Sequence, residues 1–232
     1  MSKTFEIKQI AHIENDFTSK FGIPRQSGLL ENMHSIIVFE PEFRDEQSLR
    51  EIDGFSHLWL IWQFSESIRD GFSPTVRPPR LGGNKRVGVF ATRSPFRPNS
   101  LGLSSVRLIG VKKTADKGTV LEVTGADLMN GTPIFDIKPY ISYSDSHPDA
   151  ICGFSDQADA EHHVLNVTIP PEIEAEIPED KLENLKELLS YDPRPAYQDD
   201  PERTYTFEFA GMKVGFRVCG EELAVDFIDY GR

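Results

Sequence analysis

FSHLWLIWQF, residues 55–64, is the most hydrophobic stretch of the chain. Unbroken apolar character over strand rather than helix length, rich in aromatics, predicts a strand buried on both faces. On that reading His57 is a core histidine. Downstream, residues 102–111 (GLSSVRLIGV) and 118–126 (GTVLEVTGA) predict two more strands separated by the polar turn 112–118. Residues 127–133 (DLMNGTP) form a turn with Asn130-Gly131, which suits a hairpin, and the short strand 134–137 follows. Upstream, residues 5–13 and 34–39 (HSIIVF) are strand-like. Residues 41–52 (PEFRDEQSLREI) predict a short helix opened by proline, with Leu49 and Ile52 inward. Six or so strands joined by short turns, with one helix among them, predict a mainly-β fold. They indicate a closed or nearly closed β-barrel over residues 1–148 rather than a βαβ sheet.

Beyond that the character changes. Residues 145–203 hold sixteen acidic and four basic residues. Residues 178–191 carry Leu182, Leu185, Leu188 and Leu189 at spacings of three and four, after a proline and acids, which predicts an amphipathic helix. The tail alternates as three strands, TYTFEFA (204–210), MKVGFRV (212–218) and ELAVDFI (222–228), with turns at Gly211 and Gly220-Glu221. Residues 149–232 therefore read as a small α+β domain.

Composition narrows the class. With 232 residues, 38% of them apolar, the chain can build a substantial core. No run of 18 apolar residues predicts a transmembrane helix, and MSKTFEIKQI lacks the apolar centre of a signal peptide. Cys152 and Cys219 cannot make a disulfide framework or a four-cysteine metal site; two buried thiols and a cytoplasmic address are expected. The formal net charge of −12 argues against non-specific nucleic-acid binding over the whole surface.

One segment breaks the acidity. Residues 71–107 contain Arg77, Arg80, Lys85, Arg86, Arg93, Arg97 and Arg107 and no Asp or Glu, so the rest of the chain sums to −19. Its prolines and Gly82-Gly83 exclude one helix or one central strand. It reads as a structured loop presenting guanidinium groups around a short strand, 86–91. One or two such arginines would be a solvated loop; seven without an acid point to an anionic partner, since guanidinium forks match phosphate and carboxylate groups. Phe90 and Phe96 lie among them and fit either base stacking or core packing.

Other chemistry is poorly supported. Of the six histidines only His162 and His163 are neighbours, and no metal-ligand spacing exists. No metal is expected. Neither cysteine has an activating setting, no Gly-x-Ser-x-Gly elbow occurs, and Leu81–Lys85 is neither a P-loop nor a Rossmann fingerprint. In DLMNGTPIFDIKPY (127–140), Asp136, Lys138 and Tyr140 alternate onto one strand face, which a plain turn does not explain.

At these residues the chain resembles a known family. PRQSG (24–28), DGFSHLWLIW (53–62), PTVRPPRLGG (74–83), RVGVFATRSPFRPN (86–99), DLMNGTPIFDIKPY (127–140) and DPRPAY (192–197) look like the TrmO (TsaA/YaeB) tRNA adenine-N6-methyltransferases. The resemblance implies a β-barrel enzyme that uses S-adenosylmethionine without a Rossmann fold. It implies N6-methylation of threonylcarbamoyladenosine at position 37 of threonine tRNA, by a homodimer. Carried over by position, Pro24, Arg25, Gln26, Phe64, Ser65, Arg93, Leu103, Asn130, Gly131, Thr132, Pro133, Ile134 and Phe135 would hold the methyl donor. The family pattern has histidine where Ser65 stands, which departs at one contact. The remaining cations Arg77, Arg80, Arg86, Arg97 and Lys138, with Phe96, Tyr140 and Arg194, would face the anticodon loop of tRNA. Asp136, an acid beside the implied donor pocket, is the candidate general base. The competing readings are a non-catalytic RNA-binding adaptor using the same basic loop and a small-molecule enzyme acting on anionic metabolites.

Overall fold

The structure is a computed structural model and describes residues 3–78, 85–155, 164–194 and 200–231. It divides into two compact units. The first comprises Met1–Asn15, Arg25–Pro74 and Val89–Tyr140; the second comprises Asp16–Pro24, Thr75–Gly88 and Ile141–Arg232.

In the first unit, alternating inward residues dictate one sheet. Its strands are β1 (Ala11–Glu14), β2 (His34–Phe39), β3 (His57–Gln63), β6 (Leu101–Thr114), β7 (Gly118–Thr124) and β8 (Pro133–Pro139). They follow the order β1-β2-β7-β6-β3-β8, every neighbouring pair antiparallel. Strand β1 pairs with both β2 and β8, through Ala11↔Phe39 and Ala11↔Ile134, so the sheet closes on itself and leaves no open edge. Ile13, Ile37, Leu58, Leu60, Trp62, Val106, Leu121, Val123 and Ile134 fill its interior. The mainly-β expectation holds.

Several local expectations do not. The 55–64 stretch is not buried on both faces. Leu58, Leu60 and Trp62 point inward, and His57, Trp59, Ile61 and Gln63 alternate onto the outer face. The run reads as continuous because apolar Trp59 and Ile61 occupy outer positions. For the same reason His57 is exposed rather than a core residue, its ring bonded to the Ser56 hydroxyl at 2.9 Å. The first strand is short, Ala11–Glu14; Phe5 and Ile7 are exposed. Residues 41–52 give separate 3-10 turns, Pro41–Phe43, Glu46–Leu49 and one opening at Ile52, because extended backbone at Asp45 and Arg50 and a left-handed φ of 67° at Glu51 interrupt any continuing helix. Asn130-Gly131 is not a hairpin turn: β8 pairs with β1 and β3, while β7 pairs with β2 and β6. The expected strand 86–91 shrinks to β5 (Val87–Gly88), paired with β4 (Thr75–Val76) and followed by a 3-10 turn at Val89–Ala91.

In the second unit the tail folds as β10 (Tyr205–Phe209), β11 (Met212–Cys219) and β12 (Glu222–Asp229), the meander its alternation predicts. A fourth strand, β9 (Asn166–Thr168), adds parallel to β12; three residues are too few to show a period. Two single-turn helices, α1 (Ser142–Asp145) and α2 (Pro171–Glu174), precede α3 (Glu179–Ser190), which buries Leu185, Leu188 and Leu189. Residues 16–24 belong to this unit: Phe17 packs on Phe209 with ring centroids 6.2 Å apart, and Asp16 bonds Lys181 at 2.6 Å. Cys152 and Cys219 are both exposed, not buried. Among the described residues no helix is long and apolar enough to cross a membrane, and no cluster of three His, Cys, Asp or Glu is arranged to hold a metal. His162 and His163 lie outside the described residues.

Candidate active site

The site is built where loops leave the ends of β7, β1 and β3. The 127–132 loop is stitched to β1. The Gly131 N–H donates to Ile13 O at 2.8 Å, the Ile13 N–H donates to Thr132 O at 3.2 Å, and the Asn15 N–H donates to the Asn130 side chain at 3.1 Å. The Thr132 hydroxyl folds the loop on itself by donating to Met129 O at 2.6 Å. Thr132 and Ile134 are buried, so they anchor this segment while Gly131 stays open. The 25–28 loop joins the same end through Gly28 N–H to Gly125 O, 2.8 Å.

Onto this base come the charged groups. The Arg93 guanidinium donates to Gln26 Oε1, and Gln26 Nε2 donates to Arg25 O at 2.6 Å. Asp127 sits beside them. The Trp62 indole N–H donates to Ser104 Oγ at 2.9 Å, and the Ser104 hydroxyl donates to Asp127 Oδ1 at 2.5 Å. Burial pushes the Asp127 carboxyl above the ordinary aspartate range, against the opposing pull of the Ser104 hydroxyl, the Arg93 charge and the Ser27 backbone N–H. Asp127 opens the DLMNGTP motif, and nothing in that local sequence signals its burial. Phe64 closes the aromatic side, its ring 4.3 Å from that of Trp62 and its N–H bonded to Ser100 O; Ser65 begins the 3-10 turn Ser65–Ser67.

A second group of expected residues shares the outer face of β3, β6 and β8. Leu103 and Asp136 both register with Ile61, and Lys138 registers with Trp59. Asp136 is ion-paired with Lys138 at 2.8 Å, and the Tyr140 ring lies 5.6 Å from that of Trp59. Leu103 is 58% exposed.

The basic residues divide between the units. Among the described residues, Arg77, Lys85, Arg86, Arg93, Arg97 and Arg107 make no ion pair, whereas Lys8, Lys112, Lys113, Lys117 and Lys138 of the first unit are each matched with a carboxylate. The Arg97 guanidinium donates to Thr92 O (2.8 Å), and Arg86 bonds the Thr75 hydroxyl (3.1 Å) within the second unit, which also holds Arg77 and Pro24. Arg80 lies outside the described residues. Arg194 forks onto Asp192 at 2.9 Å with its side chain 11% exposed. Phe90 is no core residue: it is 73% exposed and stacks on exposed Phe72, centroids 6.2 Å apart at 26°. Phe96 lies under the Arg69 guanidinium at 3.7 Å.

Residues 12–146 match the tRNA-methyltransferase O N-terminal domain, and residues 162–230 match the TrmO C-terminal domain. The chain belongs to the TrmO family. Within that family it is 38% identical to the tRNA (adenine(37)-N6)-methyltransferase of Escherichia coli K12, an alignment covering 93% of this chain and 94% of the relative. It is 44% identical to the enzyme of the same name from Eikenella corrodens over 71% of this chain and 91% of that one. The crystal structure of TrmO from Pseudomonas aeruginosa superposes with a TM-score of 0.77 at 28% identity, covering 98% of this chain and all of the other.

Proposed function

We propose that this chain is an S-adenosylmethionine-dependent methyltransferase that methylates N6 of threonylcarbamoyladenosine at position 37 of threonine tRNA, and that it works as a cytoplasmic homodimer. On this reading residues 1–148 form the methyl-transfer barrel and residues 149–232 a smaller appended domain. The observation that carries the reading is the convergence of Arg93, Gln26 and Asp127 at one end of the closed sheet, in a chain whose relatives are named tRNA (adenine(37)-N6)-methyltransferases.

The residues present fit the donor. S-adenosylmethionine, when bound, supplies a methyl group activated on a sulfonium, together with a carboxylate, an ammonium and an adenine. Arg93 and Arg25 present guanidinium forks for a carboxylate. Phe64 and Phe135, both only partly buried, offer apolar walls to a ring. Methyl transfer is largely a matter of in-line placement, so the stitched 127–132 loop and the Gln26–Arg93 contact contribute by fixing geometry. Asp136 takes up the proton that N6 gives up, its carboxylate positioned by the ion pair with Lys138. The unpaired arginines meet the phosphates of the anticodon loop and the carboxylate of the threonylcarbamoyl group, and exposed Phe72, Phe90 and Phe96 meet its bases.

The test is mass spectrometry of tRNA nucleosides from cells with and without the gene, and of threonine tRNA incubated with the purified protein and donor. Methylated threonylcarbamoyladenosine should vanish from the deletion and form in the reconstituted reaction. Its unchanged level in the deletion would defeat the assignment.

A further inference from the structure

We propose that Asp127 is a positioning residue of the donor site, whose negative charge sets the pose of Arg93 and of the 25–27 loop. The inference rests on the reading of that end of the sheet as the donor site, and it assigns a function to a residue outside the set implied by family resemblance.

Three separate segments meet on this carboxylate: Ser104 from β6, the Ser27 N–H from the 25–28 loop, and the Arg93 charge from the basic segment. Arg93 is the one charged group among them, so Asp127 and Arg93 form the electrostatic axis of the site. The Ser104 hydroxyl has a single proton to give. Because the Trp62 indole N–H occupies a lone pair of Ser104 Oγ, that proton is directed to Asp127 Oδ1. The relay therefore delivers a donor to Asp127 and demands an acceptor there. Trp62 also packs at a tilt against Phe64, which ties the aromatic wall to the same carboxylate.

A purely structural acceptor for the Ser104 hydroxyl would not need charge, since an asparagine oxygen accepts that hydrogen bond as well. Burial acts against the charged form. The sign follows from linkage. A carboxyl whose folded pKa is raised costs stability above that pKa, and the cost disappears as pH falls through it towards the unfolded value. A carboxylate whose charge burial disfavours, set beside the Arg93 charge, is the pattern of a functional rather than a stabilising group.

The experiment uses the full chain and its Asp127→Asn and Asp127→Glu variants. Three readouts are taken: thermal unfolding at neutral pH, calorimetric titration with S-adenosylmethionine, and the pH titration of the Arg93 Nε resonance without donor. Asp127→Asn should unfold at the wild-type temperature or higher, bind the donor about tenfold more weakly or worse, and lose the acid-range shift of the Arg93 Nε resonance that protonation of Asp127 produces. Asp127→Glu should recover part of the affinity. Donor affinity of the wild type should fall in acid at a pH above the usual aspartate range, and that limb should be missing from Asp127→Asn. Unchanged donor affinity with an unchanged Arg93 titration would overturn the proposal. A lowered unfolding temperature in Asp127→Asn, with the whole loss reproduced by Ser104→Ala, would equally overturn it by making Asp127 a structural acceptor. If the wild type gives no heat with the donor, the donor-site reading fails, while the Arg93 titration still decides the link between the two residues.

Discussion

The indole of Trp62 lies against the backbone of its cross-strand partner Gly102 so closely that a Cβ added there would stand 2.3 Å from Trp62 Cε2. Gly102 is thus the floor on which the Trp62 ring rests, and its lack of a side chain lets the indole N–H reach Ser104. Gly102→Ala must push the ring aside. Overpacking of this kind costs about 1–3 kcal/mol, and the displaced N–H adds about 1 kcal/mol for its lost bond. Urea unfolding should show the loss, and donor binding should weaken with it because the relay to Asp127 is broken. A variant as stable as the wild type, with full donor affinity, would mean that the ring relaxes freely and the relay has no role.

How far the sequence foretells this site depends on the range of the forces involved. Periodicity alone located β6, β7, β8 and the β10–β12 meander, because each buries alternate residues on one face. It misjudged 55–64, where apolar residues also stand outside, and 41–52, where extended backbone at Asp45 and Arg50 and a left-handed Glu51 break a helix-like pattern. The charge anomaly of the basic segment was visible as composition, and its cations indeed lack carboxylate partners among the described residues. The burial of Asp127 was not visible, since it comes from Ser104, 23 residues earlier, and from a loop a hundred residues away. Gln26 and Arg93 stand 67 residues apart, and only family resemblance put both in one site before the structure joined them.

Phe72 and Phe90 form a parallel, exposed pair in the same unit as Arg97 and Phe96. Phenyl rings left in water at 53% and 73% exposure contribute little to the core, so replacing them should leave stability unchanged. If they receive bases of the anticodon loop, each alanine should weaken tRNA binding by about 1–3 kcal/mol, the worth of a base stacked on an aromatic ring. Filter binding with threonine tRNA, beside calorimetry with the methyl donor, separates the effects: tRNA affinity should drop and donor affinity hold. Unaltered tRNA affinity in the double variant would remove the pair from the RNA surface.

Asp136 carries the proposed base role under an evident constraint: its carboxylate is held at 2.8 Å by Lys138 and is 44% exposed, on the outer face with Leu103. Asp136→Asn keeps the shape and removes the proton acceptor. Turnover should fall about 10²–10⁴-fold, the usual range for a lost general base, with tRNA and donor affinities near wild type. A normal turnover rate under single-turnover conditions would take Asp136 out of the mechanism and leave Lys138 and Tyr140 as substrate contacts only.

Arg194 tests where a motif serves the fold rather than the substrate. Its Nε and Nη2 both reach Asp192 at 2.9 Å, and Asp192 itself sits at a φ of 48°, just after α3 ends. A bidentate fork with one partner 11% exposed pins this left-handed turn, and a phosphate would have to compete with the Asp192 carboxylate for the same guanidinium. Arg194→Gln leaves Asp192 partly buried without its cation and should lower the unfolding midpoint. Affinity for threonine tRNA, measured per folded molecule below that midpoint, should stay the same, as should affinity for the donor. A selective loss of tRNA affinity, with the midpoint unmoved, would reverse this assignment: the fork would then be a resting state from which Arg194 turns to the RNA backbone, and the salt dependence of tRNA binding should fall by about one phosphate contact.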